Sequence, residues 1–459
     1  MLAATLGAGF TGAGPTSRPL ESAVAPLDHS DRLVFERIRA AGATKVRISI
    51  SWRSIAPKKP QLNAADPDDP AYRWSDVDRD VQLAVAAGLE PILTLYSTPA
   101  WAAERAGTPG TEAPDPDAFG TFAAAAATRY GGGFDDLPRV RYWQAWNEPN
   151  LPLFFQPQLE DGKPFSPDWY RRMVNAFSAA VKGVHADNVV IAGGTAPVAG
   201  SAELNAVHWG PLAFMRDFLC LDDELRPTCD DRVRFDVWAH HPYTSGGPTT
   251  KASLPNNAFI ADLPAMRNIL LAGYRAGHTS ASALPAFWVT EFSWDSAPPD
   301  PGGVPTRLET RWVAEAMYRM WTSGVTLVTW FSLQDRALGT SPFQSGLYYW
   351  SEDLAAARPK PALQAFRFPF VAFPTRTSVV VWGRTPAGRQ ATVVVEQSFR
   401  GGWRRLGVVK SDRYGIIQRS FTGARTGFVR ARTLDRGQQA PPFSLASVPD
   451  RFVNPFGSE

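Results

Sequence analysis

Two glutamates end apolar runs. Residues 140–150 read Val-Arg-Tyr-Trp-Gln-Ala-Trp-Asn-Glu-Pro-Asn, an aromatic and branched run that stops at Asn147-Glu148-Pro149. That composition reads as a buried strand, and Pro149, with no N–H to give to a ladder, ends it. A carboxylate at such a place costs free energy unless it is paired, hydrogen-bonded or protonated. The second, Glu291, comes at the end of the apolar run 286–292. Taken alone, Asn-Glu-Pro is equally a solvated turn. Taken as a pair facing one ligand, two carboxylates are what cleavage of a glycosidic bond needs. One protonates the leaving oxygen, and the other attacks the anomeric carbon or activates water. A separation of about 5–5.5 Å goes with retention of configuration and about 6.5–9.5 Å with inversion.

The elements that must position this pair follow from hydrophobic periodicity. Strands are predicted over residues 20–25, 45–52, 90–95, the run from 140, 188–192, 235–240, 286–292 and 326–333. Helices are predicted between and after them, over 30–41, 74–87, 118–130, 167–184, 212–221, 262–276, 309–322 and 361–368. Eight strands alternating with helices point to an α/β protein, a (β/α)8 TIM barrel over residues 18–371. The fourth and seventh strands of such a barrel face each other, so Glu148 and Glu291 both reach its C-terminal rim. A doubly wound open sheet is the alternative, but no G-x-G-x-x-G follows the first strand and no P-loop occurs. After residue 370 the pattern changes to short extended runs at 377–384, 391–399, 403–409, 416–421 and 426–432, divided by Gly, Pro and Asp-Arg-Tyr-Gly turns. This predicts a small antiparallel β-sandwich over residues 372–459, with Pro369 and Pro374 bracketing the boundary.

Trp146-Asn147-Glu148-Pro149 on the fourth strand and Val289-Thr290-Glu291 on the seventh resemble the retaining glycoside hydrolases of clan A. Cellulase-like and xylosidase-like members of families 5 and 39 are the most similar. The resemblance covers roughly residues 20–370 and takes in Arg47 on the second strand, His241-x-Tyr243 after the sixth and Trp330 on the eighth. The first strand departs from it, lacking the Gly-rich opening common in the clan. The resemblance implies Glu148 as general acid/base and Glu291 as nucleophile, with Asn147 on the sugar 2-hydroxyl and Trp330 as the floor of the subsite for the reacting ring. Arg47 is then expected to keep Glu291 ionised by charge and hydrogen bonding, and Tyr243 to orient it. His241 is expected to bond the acid/base or a sugar hydroxyl, with a structural histidine as the alternative; His240 points the other way and reads as structural. Trp52, Tyr96, Trp101 and Trp294 lie just past strand ends, where an aromatic face can stack on a sugar ring or simply pack beneath a loop. Asn150 and Gln334 are further rim hydrogen-bonders. No metal-ligand cluster is visible and this chemistry requires no cofactor. A barrel that binds glycans without cleaving them is the rival reading.

Composition bounds the setting. The chain has 459 residues, 16 of them Trp, and a formal net charge of only +3, too small to imply a nucleic-acid partner. Residues 372–459 hold 14 Lys and Arg against 5 Asp and Glu, a balance of +9, so residues 1–371 carry −6. Arginines dressing a strand-rich surface account for this, and so does adhesion to an anionic cell-wall polymer. The basic module is expected to buttress the barrel, with adhesion as the alternative. Cys220 and Cys229 are the sole cysteines. Their closeness predicts one small disulfide and a secreted or cell-surface protein, with two free thiols as the alternative; the spacing fits no usual zinc pattern. No run of 18 apolar residues predicts a membrane span. Residues 1–17 are expected to be a disordered leader or the remnant of a signal peptide.

Overall fold

The computed structural model describes residues 17–29, 31–199, 210–423 and 425–448, so all of the expected leader but Ser17 lies outside the described residues. Eight parallel strands close into a barrel: β1 (Glu21–Val24), β2 (Lys45–Ser51), β3 (Glu90–Tyr96), β4 (Tyr142–Ala145), β5 (Val189–Thr195), β6 (Val237–His240), β7 (Ala286–Phe292) and β8 (Val325–Trp330). Each strand pairs with its sequence neighbours, and β1 pairs with β8 to close the ring. The helices between them are α1 (Arg32–Ala40), α2 (Ser75–Ala86), α3 (Pro116–Arg129), α4 (Ser166–Val184), α5 (Pro211–Phe218), α6 (Leu263–Arg275), α7 (Thr306–Thr322) and α8 (Pro361–Arg367). The predicted α/β barrel is the observed one. Most boundaries shift by one to three residues, as expected where ends fray.

Strand alternation explains how the barrel is filled. Along β2, Val46, Ile48 and Ile50 are buried toward the helices, leaving Lys45 and Arg47 for the interior. Lys45 lies at the N-terminal end, with its ammonium over the Tyr142 ring and bonded to Glu21 and Glu90. Above it a small apolar plug of Ala23, Ile92, Ile191, Val237, Ala239, Trp288 and Leu327 fills the bore. Arg47 stands one pleat repeat closer to the C-terminal rim. The bore is thus polar at both ends and apolar between, and the end that carries Arg47 is the rim where the loops leave the strands.

The C-terminal part is two antiparallel sheets. One orders β9 (Phe370–Pro374), β10 (Ser378–Arg384) and β13 (Ile416–Thr422); the other orders β12 (Gly402–Lys410), β11 (Thr392–Phe399), β14 (Phe428–Thr433) and β15 (Phe443–Ser444). β9 falls on the segment that sequence alone treats as a boundary between two prolines; Pro374 sits at its end, where its missing donor is tolerated. The first sheet packs on the barrel. Trp382 meets Tyr318 and Trp321 of α7, and Tyr318 also meets Phe373. Arg384, fully buried, donates to Leu20 O and Ser22 Oγ, both at 3.1 Å, and to Phe366 O at 3.3 Å. Cys220 and Cys229 form a disulfide with Cα atoms 5.4 Å apart, closing the loop behind α5. No helix among the described residues is long and apolar enough to cross a membrane.

Candidate active site

β4 ends in a turn that aims Glu148 across the barrel. Trp146 (φ 69°) and Glu148 (φ 44°) both take left-handed backbone conformations, which side-chain-bearing residues rarely adopt. Two backbone bonds hold the turn: Trp146 N donates to Leu95 O at 2.9 Å and Glu148 N to Gly194 O at 3.0 Å. Trp146 is buried against Phe119 and Phe155 and donates its Nε1 to Phe154 O. The strained turn is thus pinned on both sides by neighbouring strands and beneath by an aromatic anchor.

Each glutamate anchors its own hydrogen-bonded group, and the two groups meet at His241, whose Nδ1 lies 3.9 Å from Glu291 Oε2. His241 lies between them: its Nδ1 is 2.8 Å from Glu148 Oε1 and its Nε2 is 3.1 Å from Thr290 Oγ1. Across the rim, Arg47 Nη1 donates to Glu291 Oε1 at 2.5 Å and Tyr243 Oη to Glu291 Oε2 at 3.0 Å. Arg47 is held in turn by Asn147 Oδ1 (2.8 Å from Nη2) and Gln144 Oε1 (3.2 Å from Nε). Glu148, His241 and Glu291 each present an atom within 4.8 Å of those of the others. The carboxylates are the accessible part, their side chains 12 % and 14 % exposed against 2 % for Arg47 and 0 % for His241.

The surroundings drive the two carboxyls apart. Burial pushes Glu148 above the ordinary carboxylate value, and the charge of Glu291 adds to this; the His241 hydrogen bond and charge, and Arg47, only partly oppose it. Burial works upward on Glu291 too. There the charges of His241 and Arg47, with hydrogen bonds from Tyr243 and Arg47, outweigh it and leave Glu291 below its ordinary value. One group is poised to give a proton and the other to stay ionised. Glu148, His241 and Glu291 could also ligate a cation, as could Cys220, Cys229 and Asp231 by position, though the disulfide consumes both thiols of the latter.

Glu148, Glu291, Arg47, Asn147, His241 and Tyr243 come together as the sequence reading expected. Three tryptophans do not offer an open ring face. Trp52 begins a helical turn, Trp52–Ile55, that swings it inward; it stacks on Phe122 and is edge-on to Trp101, fully buried. Trp294 packs on Trp312 and donates to Gly246 O. Trp330 is buried between Phe292 and Phe366, and its Nε1 donates to Ser345 O of the loop above it. Their ring faces are buried inside the protein, and Trp294 and Trp330 also spend their N–H groups there, so packing is their role. Trp101 is half-buried, with its Nε1 on Ala56 O. Tyr96 is half-buried close to Arg47 and Glu291, its phenol pushed up by burial first and shifted oppositely by those two charges. Asn150 is no rim group: fully buried, it clamps the backbone of Ala196 through both amide atoms. Gln334 donates to Ser351 O. His240 is structural, bonded to Thr195 and Ala258 O, with its imidazole pushed down to about 3 by burial. Two contributors were given no role from the sequence, Gln144 and Thr290, although Thr290 belongs to the Val289-Thr290-Glu291 motif. The available signal was a polar residue in the middle of an otherwise apolar strand.

Comparison with known proteins agrees with this geometry. Residues 20–259 match the family model for cellulase (glycosyl hydrolase family 5). The match spans β1 to β6 and includes Glu148; Glu291 lies beyond it. No curated protein matches the chain. Among solved structures, a family 39 glycoside hydrolase from Bacteroides cellulosilyticus WH2 shares 18 % identity, with a TM-score of 0.57 over 88 % of this chain and 81 % of that one. A monomeric beta-xylosidase from Caulobacter crescentus CB15 shares 15 %, with a TM-score of 0.50 over 90 % and 95 %. At these identities the two structures speak for the fold, while the family match covers more than half the sequence. The chain therefore belongs to the cellulase family, glycosyl hydrolase family 5, and is a glycoside hydrolase on a TIM barrel.

Proposed function

We propose that the enzyme cleaves β-linked glycosides with retention of configuration, through a double displacement. The observation that carries this reading is the proximity of Glu148 and Glu291, whose nearest oxygens lie within 4.8 Å. So close an approach supports retention, which goes with a spacing of about 5–5.5 Å, over inversion, which goes with about 6.5–9.5 Å. In the first step Glu148 gives its proton to the glycosidic oxygen while a Glu291 oxygen bonds to the anomeric carbon, and the C–O bond to the leaving group breaks. In the second, Glu148, now a carboxylate, takes a proton from water; the oxygen of that water attacks the anomeric carbon and Glu291 leaves as a carboxylate. His241 shares its Nδ1 with Glu148 and supports both protonation states. Asn147, whose Oδ1 accepts from Arg47, would bond the sugar 2-hydroxyl. A barrel that only bound glycans would have no use for two neighbouring carboxyls driven apart in this way, Glu148 upward and Glu291 downward. Substrates are inferred to be β-glucosides, β-mannosides or β-xylosides. The Cys220–Cys229 disulfide supports a secreted enzyme, since such bonds persist in oxidising compartments.

Azide rescue with an aryl β-glycoside tests the roles. Glu291→Gly is expected to lose roughly 10³–10⁵-fold in kcat and to regain turnover with azide, giving the α-glycosyl azide. Glu148→Ala is expected to give the β-glycosyl azide instead. Identical stereochemistry from the two variants, read by NMR, would overturn the assignment.

A further inference from the structure

The solvent-facing side of the outer C-terminal sheet is ordered in rows. Paired residues on antiparallel strands share a face, so the register fixes which side chains stand together. Trp403 pairs with Ser398, Arg405 with Glu396, Val408 with Val394 and Lys410 with Thr392 between β12 and β11. Glu396 pairs with Arg430 and Val394 with Arg432 between β11 and β14. Phe428 N donates to Ser398 Oγ at 2.9 Å and so completes the first row. The rows across the sheet are then Trp403, Ser398, Phe428; Arg405, Glu396, Arg430; Val408, Val394, Arg432; and Lys410 with Thr392. The alternate residues Val393, Val395, Val429 and Ala431 are buried and face the other sheet, and on the near side Val394 is buried too.

This face has the chemistry of a binding surface. Trp403 is 37 % exposed and Phe428 41 %, at one end of four cations against a single acid. Glu396 bonds Arg430 at 2.8 Å and lies 3.9 Å from Arg432. Arg430 is locked over the Trp403 ring at 4.0 Å. Arg405 and Lys410 have no acidic partner among the described residues and are exposed. The first sheet packs on the barrel and the outer sheet touches it at its β15 edge, where Arg311 of α7 lies over Phe443 and donates to Ser444 O, so docking of the module leaves the face carried by β12 and β11 open.

We propose that this face binds a carboxylate-bearing polysaccharide, a glycan rich in uronic acids. Arg405, Arg432 and Lys410 would pair with carboxylates spaced along the chain, while the open side of Trp403 and the Phe428 ring receive sugar faces. Charge favours a polyanion, and the exposed aromatics favour one made of rings. The proposal is independent of the catalytic assignment, because neither carboxylate of the active site takes part.

Affinity electrophoresis of the full-length protein tests it, with polygalacturonate, neutral xylan, DNA or anionic phospholipid vesicles as the probe. Retardation by polygalacturonate and not by xylan is expected. Arg405→Glu combined with Lys410→Glu should weaken it at least about tenfold, and Trp403→Ala about threefold to tenfold, with aryl-glycosidase activity and melting temperature unchanged. No retardation by polygalacturonate, equal retardation by DNA or vesicles, or wild-type binding by both variants would each overturn the proposal.

Discussion

At Glu291 burial and hydrogen bonding pull in opposite directions, and the donors win. Tyr243 contributes one of those bonds and makes none to Glu148. Glu291 must be ionised to attack, so kcat/KM falls as pH drops through its depressed pKa. Tyr243→Phe removes a donor to the ionised form and raises that pKa. The acid limb of the kcat/KM profile should therefore move up by roughly half a unit to one unit, the worth of one hydrogen bond. The alkaline limb, set by the proton on Glu148, should stay where it is. A shift of both limbs together would mean that Tyr243 acts on the whole site rather than on Glu291. At this scale the sequence was legible for charged and hydroxyl groups at strand ends. It was not legible for Trp52, Trp294 and Trp330, because an indole past a strand end faces whichever way its loop turns.

The elements position the site through close approaches that only certain residues permit. β5 passes β4 at Gly193-Gly194, and Gly194 has φ 61°. A Cβ there would lie 2.5 Å from Gln144 Nε2. Gln144 holds Arg47, which holds both Asn147 and Glu291. Gly194→Ala should cost about 1–2 kcal/mol in stability through the left-handed backbone. It should lower kcat by roughly ten- to a hundredfold, because small misplacements of aligned groups are expensive. Thermal melts beside steady-state kinetics separate the two effects, and a variant with wild-type kcat would show that Gln144 yields without moving Arg47. The helices and strands themselves were legible from their periodicity. The chain of contacts from β5 through Gln144 to the nucleophile was not, since it depends on register between strands distant in sequence.

Across the whole molecule the C-terminal sheets and the barrel share one interior. Trp382 lies against α7, and Arg384 serves the backbone of Leu20 and the hydroxyl of Ser22 at the start of the barrel. Arg384→Met would leave those buried acceptors without a donor. It should lower stability by about 2–4 kcal/mol, measured by denaturant titration, and should sharpen proteolysis at residues 17–25. An unchanged midpoint would reduce the module to a passenger. The sequence announced two modules through its change of pattern and charge; it did not show that one arginine links the last domain to the first strand. That link has a consequence for synthesis. A ribosome adds roughly 5–20 residues per second, so Arg384 follows Trp330, the last residue of β8, after roughly 3–10 seconds. Throughout that interval every strand of the ring exists, but Leu20 and Ser22 still lack their clasp. The first strand of the ring to be made is thus the last to be secured, held until then by its ladders to β2 and β8 alone.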